Sequence, residues 1–149
     1  ADFDRGLTQS GRADTKALGQ RMRAANLLPD LVLCSTAKRA VETLDGVALT
    51  LFQGSPKTRY LAELYNSDAI DYLHAVREAP SVETLLVVGH NPMMEDLAFE
   101  LPATGDDEAV KNAASGFPTC GLAVIGFSSS LANIRRKSGR LEAFLKPTR

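Results

Sequence analysis

A chain of 149 residues suits one domain with one core, and 44% hydrophobic with 23% charged residues is ordinary for a soluble globular protein. A formal net charge of −1 gives no electrostatic basis for a nucleic-acid or anionic-membrane partner. No apolar run is long enough to span a bilayer, and no basic-then-apolar leader opens the chain, although its first residue is Ala rather than Met.

Strands and helices alternate along the sequence. Thr8 can cap a helix from about Gln9 to Asn26, with Ala13, Ala17, Leu18, Met22 and Ala25 recurring on one face. Leu28-Pro29-Asp30 breaks it, and Leu31-Val32-Leu33-Cys34 then has the continuous apolar pattern of a strand covered on both faces. Ser35 or Thr36 caps the next helix, roughly Ala37 to Leu51, in which Gly46 is a mild weak point. Thr58 to Leu61 reads as a strand, Glu63 to Ser67 as loop, and Asp68 to Ala79 as a helix with Ile70, Leu73 and Val76 on one side. Thr84 to Val88 is the clearest buried strand. Asn91 as cap and Pro92 at the first helical position open a helix that ends near Leu101-Pro102. Thr104 to Phe117 reads as a polar connection, and Gly121 to Phe127 and Arg140 to Leu145 as two strands. With no helix between them, the last two strands should add an antiparallel component. The alternation predicts a single α/β domain over residues 1–149, a three-layer α/β/α sandwich on a mostly parallel sheet with an antiparallel edge.

Charge is uneven: eight acids and three bases lie between Leu51 and Glu100, against seven bases and four acids from Leu101 onward. That pattern reads as solvated surface on separate elements. Cys34 and Cys120 each sit in an apolar run and read as small core residues of a reducing compartment, hence a cytoplasmic protein; a disulfide between them stays open. Two His and scattered carboxylates show no metal-ligand spacing, and no cofactor is implied.

Ligands of open α/β sheets bind beyond the carboxyl ends of the strands, and two such ends carry chemistry. One is Leu33-Cys34-Ser35-Thr36-Ala37-Lys38-Arg39, a strand running into a helix whose first turn holds a guanidinium. The other is Val87-Val88-Gly89-His90-Asn91-Pro92, a strand delivering a histidine to the lip of the sheet. Helix N-termini favour an anion, and a planar guanidinium fork with an imidazole adds to a phosphate pocket. An Arg early in a helix is usually surface, and a lone His after a strand is usually structural; the setting of His90, between a Gly and a helix start, is what marks it. His74, inside a helix, reads as structural.

These segments resemble a family. Gly89-His90-Asn91-Pro92 is similar to the second-histidine motif of the histidine phosphatase superfamily, and Ser35 to Thr43 resembles its second-arginine helix. Asp4-Arg5-Gly6-Leu7-Thr8, with Gly11, resembles the segment after the catalytic loop in the short SixA-type phosphohistidine phosphatase branch, as does Phe117-Pro118-Thr119-Cys120-Gly121 before a strand. The short branch usually has Pro where Gly6 stands, which should loosen that turn. The family's enzymes begin with a strand ending in Arg-His-Gly or Arg-His-Ala. No such motif occurs here, so the expectation is a domain lacking its first strand, whose loss should expose apolar surface and unpaired backbone.

The resemblance implies a phosphoglycerate-mutase-like fold and metal-independent phosphoryl transfer. The histidine of the absent motif would attack phosphorus and form a phosphohistidine intermediate. Arg39 would clamp the phosphoryl oxygens, His90 would donate a hydrogen bond to them, and Glu63 stands where larger relatives place a proton donor. Ser35, Asn91 and Thr119 are the further candidates for substrate contact. The implied partner is a phosphorylated protein, phosphohistidine above all. A small phosphate ester is the enzyme alternative, and a non-catalytic phosphate-binding or interaction module is the reading from a different class.

Overall fold

A computed structural model describes residues 1–147. Five helices and six strands alternate: α1 (Gln9–Ala24), β1 (Leu31–Ser35), α2 (Lys38–Leu51), β2 (Thr58–Leu61), α3 (Ala69–Glu78), β3 (Leu85–Val88), α4 (Met93–Glu100), β4 (Pro102–Gly105), α5 (Asp107–Ala114), β5 (Leu122–Phe127) and β6 (Gly139–Leu145). Caps explain most starts. The Thr8 hydroxyl accepts from the Gly11 N–H at 3.0 Å, and Asp68 and Asp71 form a reciprocal capping box at the head of α3.

β1 is buried throughout and organises three layers. Val32 and Cys34 point into a cluster with Leu18 and Met22 of α1 and Leu44, Val47 and Leu51 of α2. Leu31 and Leu33 point the opposite way, onto Tyr72, Leu73 and Val76 of α3 and Leu97 of α4. The α/β/α sandwich therefore stands. No helix among the described residues is long and apolar enough to cross a membrane.

The sheet differs from expectation in being divided. β2-β1-β3 form a parallel sheet, while β4-β6-β5 form a mixed one, with β5 antiparallel to β6 as the missing helix between them required. Among the described residues β3 pairs only with β1 and β5 only with β6. A cavity of about 1080 Å³ opens between them, lined by Leu85, Leu86 and Val87 of β3 and by all of β5. The apolar side chains of β5 are all half-buried, unlike those of β1. The middle layer has a strand-shaped slot.

Six local expectations need correction. The N-cap position of α2 is Ala37, with no side-chain cap, rather than Ser35 or Thr36. The buried face of α1 is Gly11, Thr15, Leu18, Gly19 and Met22; Ala13 and Ala25 are exposed. Small residues win there because α1 lies hard against α2: a Cβ added at Gly46 would collide with the Thr15 side chain. Gly46 is thus a contact requirement, not a weak point. Ile70 is exposed, and Tyr72 takes its place on the buried face of α3. The supposed polar connection holds β4 and α5, the latter capped by the Asp106 carboxylate on the Ala109 N–H at 3.1 Å. α4 starts one residue late, at Met93, with Pro92 preceding it; the Asn91 side chain still accepts from the Glu95 N–H at 3.2 Å.

Gly46→Ala should lower unfolding free energy by about 1–3 kcal/mol, overpacking outweighing the gain in helix propensity. Urea denaturation checks it; a more stable variant would show that α1 and α2 separate freely.

Candidate active site

Parallel register sets the site. Cys34 pairs with Val88, so Ser35 and Gly89-His90 emerge together at one rim of the β2-β1-β3 sheet. The Ser35 hydroxyl, fully buried, lies 2.8 Å from His90 Nε2 and accepts the Ala37 N–H at 3.2 Å. The His90 backbone N–H donates to the Tyr72 hydroxyl at 3.1 Å, and that hydroxyl donates to the Leu64 carbonyl at 2.5 Å. Tyr72 lies so close to Gly89 that any side chain there would strike its ring. The Gly before His90 is thus there for close approach. His90 is 8% exposed and held at both backbone and ring, with Nδ1 unpartnered among the described residues.

Arg39, on the first turn of α2, reaches the same place. Its guanidinium carbon stands 6.0 Å from the centroid of the Tyr65 ring, whose edge-on neighbour at 5.5 Å is the His90 ring. Nη1 donates to the Asp2 carbonyl at 3.0 Å and pairs with the Asp2 carboxylate at 3.2 Å; Nε and Nη2 have no partner among the described residues. Burial lowers the His90 pKa from its ordinary 6.5, the Arg39 charge lowers it further, and Asp2 opposes both. The imidazole is therefore neutral near neutral pH.

The structure brings His90, Ser35 and Arg39 together. Asn91 flanks them: its amide donates to the Phe117 carbonyl at 3.2 Å, tying in the turn that carries exposed Thr119. Glu63, on a short 3-10 turn over Ala62–Leu64, is exposed and linked to none of these residues by a hydrogen bond or ion pair. Three residues of the site were not singled out from the sequence: Tyr65, Tyr72 and Asp2. The only sequence signal for Tyr65 was its place just beyond the end of β2, the neighbour of β1.

Burial pushes the Cys34 thiol up to about 12 and the Cys120 thiol up to about 11, so neither supplies a thiolate at neutral pH. Cys34 is core; Cys120 is half-buried in a turn, and both are free. Among the described residues no group of three or more His, Cys, Asp or Glu is placed to hold a metal ion.

No protein-family model matches the chain. It is 35% identical over 150 residues to an uncharacterized protein of Mycobacterium tuberculosis, covering 99% of this chain and 92% of that one. An uncharacterized Mycobacterium leprae protein is 30% identical over 149 residues, covering 99% and 89%. Among solved structures, a candidate phosphohistidine phosphatase SixA from Agrobacterium tumefaciens superposes with a TM-score of 0.79 at 34% identity, covering 99% of this chain and 86% of that one. Its counterpart from Nakamurella multipartitia gives 0.84 at 27% identity, covering 100% and 88%. The fold and the site's segments thus define a protein of phosphatase type. The chain belongs to the histidine phosphatase superfamily, in its SixA-type phosphohistidine phosphatase branch.

An NMR titration of His90 should give a midpoint below 6.5, and Arg39→Ala should raise it by removing the neighbouring positive charge. Since folding lowers this pKa, acidification protonates the unfolded chain first. The stability contribution is whole above the unfolded value and is lost as pH falls through the folded one. Wild-type melting temperature should therefore drop more steeply than that of His90→Gln between about pH 7 and pH 5. A midpoint above 6.5 would contradict the placement of the ring.

Proposed function

We propose that the protein is a metal-independent phosphatase acting on a phosphoryl group carried by another protein, phosphohistidine in particular, through a phosphohistidine enzyme intermediate. The observation that supports it best is the convergence of a buried neutral imidazole and a guanidinium with two unengaged nitrogens at one sheet rim. Arg39 would clamp the phosphoryl oxygens with Nε and Nη2. With the Ser35 hydroxyl donating to Nε2, His90 carries its proton on Nδ1 and would donate it to an oxygen as charge builds there, a preorganised role. Asn91, which follows His90, would contact substrate, and so would Thr119 in the turn that the Asn91 amide holds. Glu63 is the proton donor of the scheme if the turn over Ala62–Leu64 brings it to the leaving group. An imidazole leaving group makes that assistance less demanding.

The nucleophile, in this reading, is the histidine of an Arg-His strand lying in the slot between β3 and β5. Two unpaired strand edges facing an apolar void favour such an occupant, since interiors are close-packed and free edges recruit strands. The attacking imidazole nitrogen forms a bond to phosphorus as the bond to the leaving atom breaks, and that atom takes a proton. Water then attacks phosphorus, the enzyme's P–N bond breaks, and inorganic phosphate departs. The domain is a single one completed by that strand.

Two alternatives are separated by experiment. Coding sequence for an apolar strand ending in Arg-His immediately before Ala1 is expected; a start codon there would favour a phosphate-binding module without turnover. On the full-length gene product, kcat/KM should be higher for a phosphohistidine protein than for small phosphate esters. His90→Ala should cut it by about 10²–10³-fold, with a lowered melting temperature because the buried Ser35 hydroxyl loses its ring partner. Near wild-type turnover would remove His90 from the mechanism. Arg39→Lys should also be costly, because a point charge does not reproduce the planar fork.

A further inference from the structure

The anion site already contains an anion. Asp2, in the 3-10 turn Asp2–Asp4, accepts the Tyr65 hydroxyl at 2.6 Å and the Arg39 Nη1 at 3.2 Å on one carboxylate oxygen, and Arg5 at 3.2 Å on the other. Its backbone carbonyl takes a second contact from Arg39 Nη1 at 3.0 Å, and Phe3 sits edge-on to Tyr65 at 5.0 Å. The turn is therefore docked on Tyr65 and Arg39 from two sides. The Tyr65 hydrogen bond, then Arg5, hold the Asp2 carboxyl at about 2, so it is charged at neutral pH. It engages one of the three guanidinium nitrogens and leaves the other two open.

We propose that Asp2 is a specificity-determining counter-ion: it opposes free phosphate at Arg39, so that the site favours phosphoryl groups borne on a protein. The inference rests on the reading of Arg39 and His90 as the phosphoryl site. A free phosphate ion has only that site to bind, and it meets a carboxylate sharing its guanidinium. A protein-borne phosphoryl group adds contacts beyond the site, with Phe3 exposed and Tyr65 half-buried at the same rim. The same repulsion speeds departure of the phosphate product, with Asp2 keeping the guanidinium neutralised afterwards.

Inorganic phosphate titrated calorimetrically at low ionic strength tests this. Asp2→Asn keeps an oxygen that can accept from Tyr65 and Arg39 while removing the charge. It should tighten phosphate binding by roughly threefold to tenfold, the gain shrinking as salt is added. Asp4→Asn is the control. It makes the same change of net charge in the same turn, at a side chain without a hydrogen bond or ion pair among the described residues, and should shift affinity by less than about twofold. Asp2→Asn binding equal to or weaker than wild type would overturn the proposal and make Asp2 a residue that merely orients Arg39. So would equal tightening by Asp4→Asn. Arg39→Ala in the same titration separates the two claims: if it binds phosphate as well as its parent does, the reading of the site itself fails.

Discussion

The hydrogen bond between Ser35 and the His90 ring joins the ends of two adjacent parallel strands, and the site depends on it. A buried hydroxyl and a buried imidazole would each be costly alone. Together, with the Ala37 N–H and the Tyr72 hydroxyl completing the network, they are satisfied. The reward is orientation: one ring nitrogen is fixed to the scaffold, and the other has no partner among the described residues. Tyr72 spans Leu64 and His90, so α3 is also committed to this geometry.

Electrostatics divide the labour. Burial keeps His90 neutral and able to donate without bringing charge of its own, while Arg39 supplies the fixed positive charge. Tyr65 touches three of the other parties, ring against His90, ring beneath Arg39, hydroxyl on Asp2. Its role is to hold opposite charges at defined places around one small volume. The half-buried β5 and the slot beside it belong to the same picture, since the slot runs along β3, the strand that leads into Gly89-His90.

Much of this was legible because it is local. Leu31 to Cys34 announces a buried strand by its continuous apolar run. Thr84 to Val88 announces a strand too, but it runs from Leu85 and only Leu86 in it is buried, the rest half-buried beside the slot. The helix starts after both runs place Arg39 and His90 at strand ends. What escaped was set by partners distant in sequence. Tyr65 meets Asp2 across 63 positions, and Tyr72 meets the His90 backbone across 18. Tyr72 looked like any aromatic on a helix. β4 was missed because Pro-Ala-Thr-Gly lacks apolar alternation, and α5 because its buried face is made of alanines; the Asp106 cap was its one readable sign. Ala13 and Ala25 were misjudged since periodicity does not say that a helix neighbour demands Gly and Thr instead.

The central claim is that His90 and Arg39, 51 positions apart in the sequence, serve one oxyanion. A crystal structure of the protein soaked with phosphate tests it most directly. The account predicts a single anion whose oxygens lie about 2.7–3.1 Å from His90 Nδ1 and from Arg39 Nε or Nη2. An anion bound to Arg39 while His90 faces away from it, or settled elsewhere on the surface, would contradict the account.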